Sequence, residues 1–117
     1  MARLRTPEME QKYKEYRKDG HMDRICDICE KAPLVKEFTY WKIVDNIFPW
    51  DYIAKIQHMA VPKRHVVYEE LSDEEKKEYD EIKVGYIERE YDIMAEATNK
   101  MKTIPSHFHM HLIVMKD

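Results

Sequence analysis

The run His107-Phe108-His109-Met110-His111-Leu112-Ile113-Val114 constrains this chain more than any other segment. Strict alternation of imidazole and apolar side chains suits a β-strand, where successive side chains point to opposite faces, and suits no helix. The alternation predicts a strand over 107–115, with Phe108, Met110, Leu112 and Val114 on one face and the three histidines on the other. Side chains on such a face stand roughly 6.5 to 7 Å apart. Neighbouring imidazoles disfavour one another's protonated forms, which keeps them available near neutral pH as nucleophiles, proton carriers or metal ligands. Because the opposite face is wholly apolar, a solvated strand with incidental histidines is the weaker reading.

With 117 residues, 44% apolar and 37% charged, the chain suits a single domain over 1–117, able to bury a core without disulfides. A formal charge of -3 supplies no basic field for a polyanion, which disfavours nucleic acid as a partner. The start, Met-Ala-Arg-Leu-Arg, runs into charged residues where a signal peptide would need an apolar stretch, and the apolar runs are strand-sized. The expectation is a cytoplasmic protein with no membrane contact.

Thr6-Pro7, followed by Met9, Tyr13 and Tyr16 and closed by Gly20, predicts a helical N-terminal extension within 1–20. Residues 37–44 are aromatic and β-branched and predict one strand, ended by Asp45-Asn46 and Pro49. A second strand is predicted over 54–61, stopped by Pro62 and briefly continued by 66–68. Ser72 with Glu75 three residues later forms a capping-box signature, and a long helix should run from there to about Asn99. Tyr79, Ile82, Tyr86, Ile93 and Ala97 would share its inner face. Gly85 within it marks either a close contact or a bend. The fold class is therefore α+β, an antiparallel sheet packed by a long helix, with an additional N-terminal helix.

Both cysteines lie in Cys26-Asp27-Ile28-Cys29, which reads as metal binding or redox chemistry, the latter weakened by the lack of a βαβ setting. His21 and His58 read as incidental.

The form of His107-Phe-His109-Met-His111-Leu-Ile resembles the signature of the histidine triad (HIT) family. Two further segments agree in order: Ala60-Val-Pro62-Lys63-Arg64-His65-Val66 is similar to the family's Pro-Lys-x-His segment, and Val44-Asp-Asn46-Ile-Phe-Pro49 to its ribose-binding turn. The likeness covers roughly 26–114. It implies a HIT-like fold, a homodimer and a hydrolase for nucleoside phosphoramidates, dinucleoside polyphosphates or other nucleotidyl conjugates. His109 would be the nucleophile on the α-phosphorus and His111 a donor to the phosphate, with Ser106 also at the phosphate and Asn46 at the ribose. Lys63 and Arg64 would steer anionic substrates or be merely solvated. In one branch of the family a structural zinc is held at positions matching Cys26, Cys29, His65 and His107; unliganded cysteines are the alternative. The approach Met101-Lys-Thr-Ile-Pro105-Ser106 departs from the family's glycine- or glutamine-bearing loop. His111 stands where the transferase branch has glutamine, which favours hydrolysis. A nucleotidyltransferase and a non-catalytic, zinc-stabilised nucleotide-binding module are the alternatives.

Overall fold

The computed structural model describes residues 4–18, 26, 29, 31–98 and 106–117. Helix α1 (Pro7–Lys18) opens with Thr6 as its cap: the hydroxyl accepts the Met9 N–H at 3.3 Å. Pro7 thus takes the first helical position, where a missing N–H leaves no bond unmade. Asp51 accepts from both the Thr6 N–H and the Thr6 hydroxyl, at 2.8 and 2.9 Å. Tyr13 and Tyr16 pack on Phe48 with ring centroids 5.6 and 5.0 Å away, so α1 lies against the 46–52 loop. Gly20 and His21 fall outside the described residues.

A wholly antiparallel sheet follows, built from β1 (Leu34–Glu37), β2 (Trp41–Asp45), β3 (Ala54–Pro62), β4 (Ile93–Ala95) and β5 (Met110–Met115) in the order β1-β2-β3-β5-β4. The single strand expected over 37–44 is in fact a hairpin. The chain folds back between Glu37 and Trp41, with the Phe38 N–H donating to the Trp41 carbonyl at 2.8 Å. Phe38-Thr39-Tyr40 carries no Gly, Asn or Pro, so the sequence had no turn chemistry to reveal it. Nor do 66–68 continue β3; a 3-10 turn occupies Tyr68–Glu70.

Helix α2 (Asp73–Ile82) starts with the expected capping box: Ser72 Oγ accepts the Glu75 N–H at 3.1 Å, and Glu75 accepts the Ser72 N–H at 2.8 Å. It does not reach Asn99. A π-helical turn, Lys83–Ile87, leads into a last short turn, α3 (Glu88–Glu90), and Tyr91 is extended. The wider turn brings Ile82 and Ile87, five residues apart, both into the core, where uninterrupted α-helix would have turned Ile87 away. Gly85 lies in this turn, and a Cβ there would meet nothing within 4 Å, so the close-contact reading does not hold. Ile93, assigned by periodicity to the helix, instead begins β4, and Ala97 lies beyond that strand. The outer edge of β5 needs hydrogen-bond partners, and that demand overrides helix propensity in Ile93-Met94-Ala95. Among the described residues, no helix is long and apolar enough to cross a membrane.

The two sheet faces differ. Trp41, Ile43, Ala60, Phe108 and Leu112 pack beneath Ile82 and Ile87 of the helical segment, with Val66 and Leu71 completing that core. Trp41 ties the layers together through its indole N–H, which donates to the Glu75 carbonyl at 2.8 Å. The opposite face carries Val44, Met59 and Val61, against which Cys26 packs. Registers pairing Val44 with Met59 and Met59 with His111 put His111 on that second face.

Candidate functional site

Phe108 decides where the histidines point. Its ring is buried with Trp41 at 6.0 Å and Tyr79 at 6.3 Å, and its N–H donates to the Val66 carbonyl at 2.8 Å. Alternation then turns His107 and His109 to the other face. Regular pairing begins only at Met110, so the first two histidines precede β5 proper, a shorter strand than the sequence predicts. The three histidines are also buried, retaining 1%, 5% and 6% exposure in chain order. Buried imidazoles need partners, and those partners set their tautomers.

His107 donates from Nε2 to the Pro62 carbonyl at 2.9 Å, which leaves the lone pair on Nδ1. That nitrogen faces sulfur, at 3.4 Å from Cys26 Sγ and 3.3 Å from Cys29 Sγ. His65 Nδ1 lies 3.4 Å from Cys29 Sγ, and His65 Nε2 is 3.1 Å from the Ser106 hydroxyl. The four donor atoms of Cys26, Cys29, His65 and His107 all fall within 4.8 Å of one another. Metal–sulfur and metal–nitrogen bonds of about 2.3 and 2.05 Å at the tetrahedral angle separate the donors by about 3.6 Å, so the contacts fit one ion. Both imidazoles offer Nδ1 while Nε2 is held by an oxygen, the outer support that a ligating histidine needs. Burial first, working against the Pro62 hydrogen bond, holds the His107 imidazole down to about 4, so it is neutral and able to ligate near pH 7.

The elements around this cluster are braced from outside. Arg64 donates to both carboxylate oxygens of Glu75, at 2.7 and 3.1 Å, and to the Glu70 carbonyl at 3.1 Å. The Lys63 N–H donates to the Tyr40 carbonyl at 2.9 Å, and its ammonium to Glu37 at 2.6 Å. These bonds fix the turn that presents His65. Lys63 and Arg64 thus each contact a carboxylate, while their side chains stay 35% and 56% exposed.

His109 donates from Nδ1 to the His107 carbonyl at 3.0 Å, so its lone pair is on Nε2. His111 has the opposite arrangement. Gln57 Oε1 accepts the Trp50 N–H at 2.5 Å, which forces the Gln57 amide NH2 toward His111 Nδ1, 2.9 Å away. An amide donor requires an acceptor, so the His111 proton resides on Nε2. The Trp50 ring covers His111 at 4.3 Å, and the His109 and His111 rings meet edge to face at 5.2 Å. Burial first, then His109 and Arg5, hold the His111 imidazole down to about 3. In the neutral forms of these adjacent rings the two Nε2 atoms therefore differ, that of His109 carrying a lone pair and that of His111 a proton.

Asn46 accepts the Phe48 N–H at 2.9 Å, and its own N–H donates to the Gln57 carbonyl at 3.3 Å, placing it beside the residue that orients His111. Ser106 is placed on His65, at the cysteine–histidine cluster. His58, read as incidental, shares a 2.6 Å hydrogen bond with the Tyr91 hydroxyl on the helix face. Gln57, Trp50 and Arg5 were missed: each acts through tertiary neighbours, and none belongs to a motif.

In comparisons with known proteins, no family model, no curated protein and no solved structure matches this chain. A functional reading therefore rests on the residues and their geometry.

Proposed function

We propose that this chain is a HIT-like nucleotide hydrolase that cleaves nucleoside phosphoramidates, dinucleoside polyphosphates or other nucleotidyl conjugates through a covalent nucleotidyl-His109 intermediate. The observation that carries the reading is the pair of opposed tautomers: Nε2 of His109 bears a lone pair while Nε2 of neighbouring His111 bears a proton. A nucleophile and an electrophilic donor are what displacement at phosphorus needs. The lone pair of His109 attacks the α-phosphorus and forms a P–N bond, while the bond to the leaving group breaks and its electrons go with that group. A leaving amine takes a proton from solvent, and a leaving phosphate departs as the anion. Water then attacks the same phosphorus, loses a proton to solvent, and returns the P–N electrons to His109. His111 stabilises the charge that develops on the non-bridging oxygen in both steps. Asn46 is the ribose contact, and Ser106 serves the phosphate through its backbone, its hydroxyl being placed on His65.

The ion of the cluster is zinc, for which two thiolates and two imidazoles are a suitable set. With all four positions filled by the protein it is structural: it ties Cys26 and Cys29 to the turn of His65 and to the start of the histidine segment. The same resemblance carries a homodimer into this proposal.

Incubation with an adenylyl phosphoramidate tests it. Intact mass should rise by one adenylyl group in wild type and not in His109→Ala. Undiminished turnover in that variant would refute the assignment. His109 keeps 5% exposure, so most of the ring is covered. That burial also favours the second reading, a non-catalytic zinc-stabilised module, which predicts nucleotide binding without adduct or product.

A further inference from the structure

Lys63 and Arg64 each contact a carboxylate, Glu37 and Glu75, at the turn that presents His65. Another cation comes from the N-terminal segment. The Tyr52 N–H donates to the Leu4 carbonyl at 2.9 Å, and Asp51 holds Thr6 through two bonds, so both residues flanking Arg5 are pinned along the 46–52 loop. Between these clamps, Arg5 donates from Nε to the Phe48 carbonyl at 3.0 Å, and its guanidinium lies 4.2 Å over the Tyr13 ring. The side chain is only 17% exposed, and its one carboxylate contact within 4 Å among the described residues is to Glu10, at a long 3.9 Å. A cation this enclosed is costly unless it is paired, and the pairing seen is weak.

The loop that grips Arg5 is also the loop that reaches the histidines. Phe48, whose carbonyl accepts from Arg5, donates its N–H to Asn46; Trp50, two residues on, lies 4.3 Å from the His111 ring. Arg5 and the His111 ring are thus both held by the 46–52 loop. Nε is occupied by Phe48 and Nη1 leans toward Glu10, while among the described residues no acceptor is bonded to Nη2.

We propose that Arg5 is an anion-binding residue of the His109–His111 site, its terminal guanidinium nitrogens taking a non-bridging phosphate oxygen beside the Nε2–H of His111. This deepens the hydrolase reading and rests on it for where the phosphate sits. A planar, permanently charged fork is better suited to that task than a lysine, and stacking on Tyr13 preorganises it. The compound recognised is a phosphate ester in general, with the nucleoside contributing separately.

The test compares adenosine monophosphate with adenosine, by calorimetry on wild type, Arg5→Gln and Arg5→Lys. Arg5→Gln should weaken monophosphate binding by roughly 10-fold or more, the scale of a charge-assisted hydrogen bond, and leave adenosine binding unchanged; Arg5→Lys should recover part of the loss. Unchanged monophosphate affinity, or equal losses for both ligands, overturns the proposal. So does wild type that binds the monophosphate no better than adenosine. Should Arg5→Gln fail to fold, phenylglyoxal labelling of wild type mapped by mass spectrometry decides instead. Adenosine monophosphate should protect Arg5 where adenosine does not, and absence of protection overturns the assignment. Monophosphate binding that behaves as described with no adduct on His109 would sink the hydrolase reading alone.

Discussion

Gln57 donates its amide N–H to Nδ1 of His111 across 2.9 Å, and through that one bond a side chain on β3 decides which nitrogen of a β5 histidine carries its proton. The residues are diagonal neighbours: Met59 lies opposite His111 in the register, and Gln57 is two positions away on the same face. The Trp50 N–H locks the amide, because a backbone N–H can only donate and must take the Gln57 oxygen. The chain thereby builds a donor toward the proposed phosphate from a residue with no charge.

Reversing that bond should cost activity. In Gln57→Glu, one carboxylate oxygen still accepts from Trp50 and the other accepts from His111 Nδ1–H, which strips the proton from Nε2. Hydrolysis of an adenylyl phosphoramidate should fall about 100-fold, the order expected on losing one transition-state donor. Steady-state rates with intact metal content are the measurement, and an unchanged rate would remove His111 as the donor.

Metal should leave with its ligands. Purified wild type is expected to carry about one equivalent of zinc, and the Cys26→Ser, Cys29→Ser double variant close to none. Equal metal in both, by elemental analysis, would exclude these cysteines. Chelation should also lower the melting temperature of wild type while leaving the double variant unmoved.

Acid should destabilise the metal-free fold in a defined window. His107 and His111 have folded values of about 4 and about 3, below an unfolded value near 6.5, chiefly because burial disfavours the charged ring. Between those values the unfolded chain binds more protons, so the stability present in full above about pH 6.5 is lost as pH falls through the window. Urea midpoints of the chelated protein should drop from pH 7.5 to 5.0, and less so in His111→Gln. A pH-independent midpoint would mean that these rings are not buried as described.

Glu75 should act at lower pH. Its hydrogen bond with Arg64 comes first among the causes that hold it at about 2, below the ordinary carboxylate value, with the Ser72 cap assisting. Its stabilisation is complete above about pH 4.5 and is lost as pH falls toward 2. Glu75→Gln should cost about 1 to 2 kcal/mol at pH 7, the scale of a lost cap plus a charge-assisted bond. Calorimetric melting would show it as a drop of several degrees that disappears at acid pH, where the wild-type carboxylate is itself protonated. Equal melting temperatures at pH 7 would assign no stability to the Arg64–Glu75 contact.

Much of this molecule is local and was legible in the chain. Alternation over 107–115 told which residues share the histidine face, because side-chain direction in extended backbone depends only on parity. Thr6-Pro7 and Ser72 with Glu75 announced helix starts, because a cap is satisfied within one turn. The ordered Cys-x-x-Cys, Pro-Lys-x-His and histidine motifs named the four residues that the fold gathers within 4.8 Å. What parity and capping could not decide was every choice made by a distant partner. The fold-back after Glu37, the exit of Ile93 from the helix into β4, and the pairing of Lys63 and Arg64 with glutamates are of this kind. So are the proton positions on His107, His109 and His111. A sheet edge is satisfied by whichever strand reaches it, and an imidazole takes its tautomer from what its other nitrogen meets. Both are settled by atoms far away in the chain, and so only by the tertiary structure.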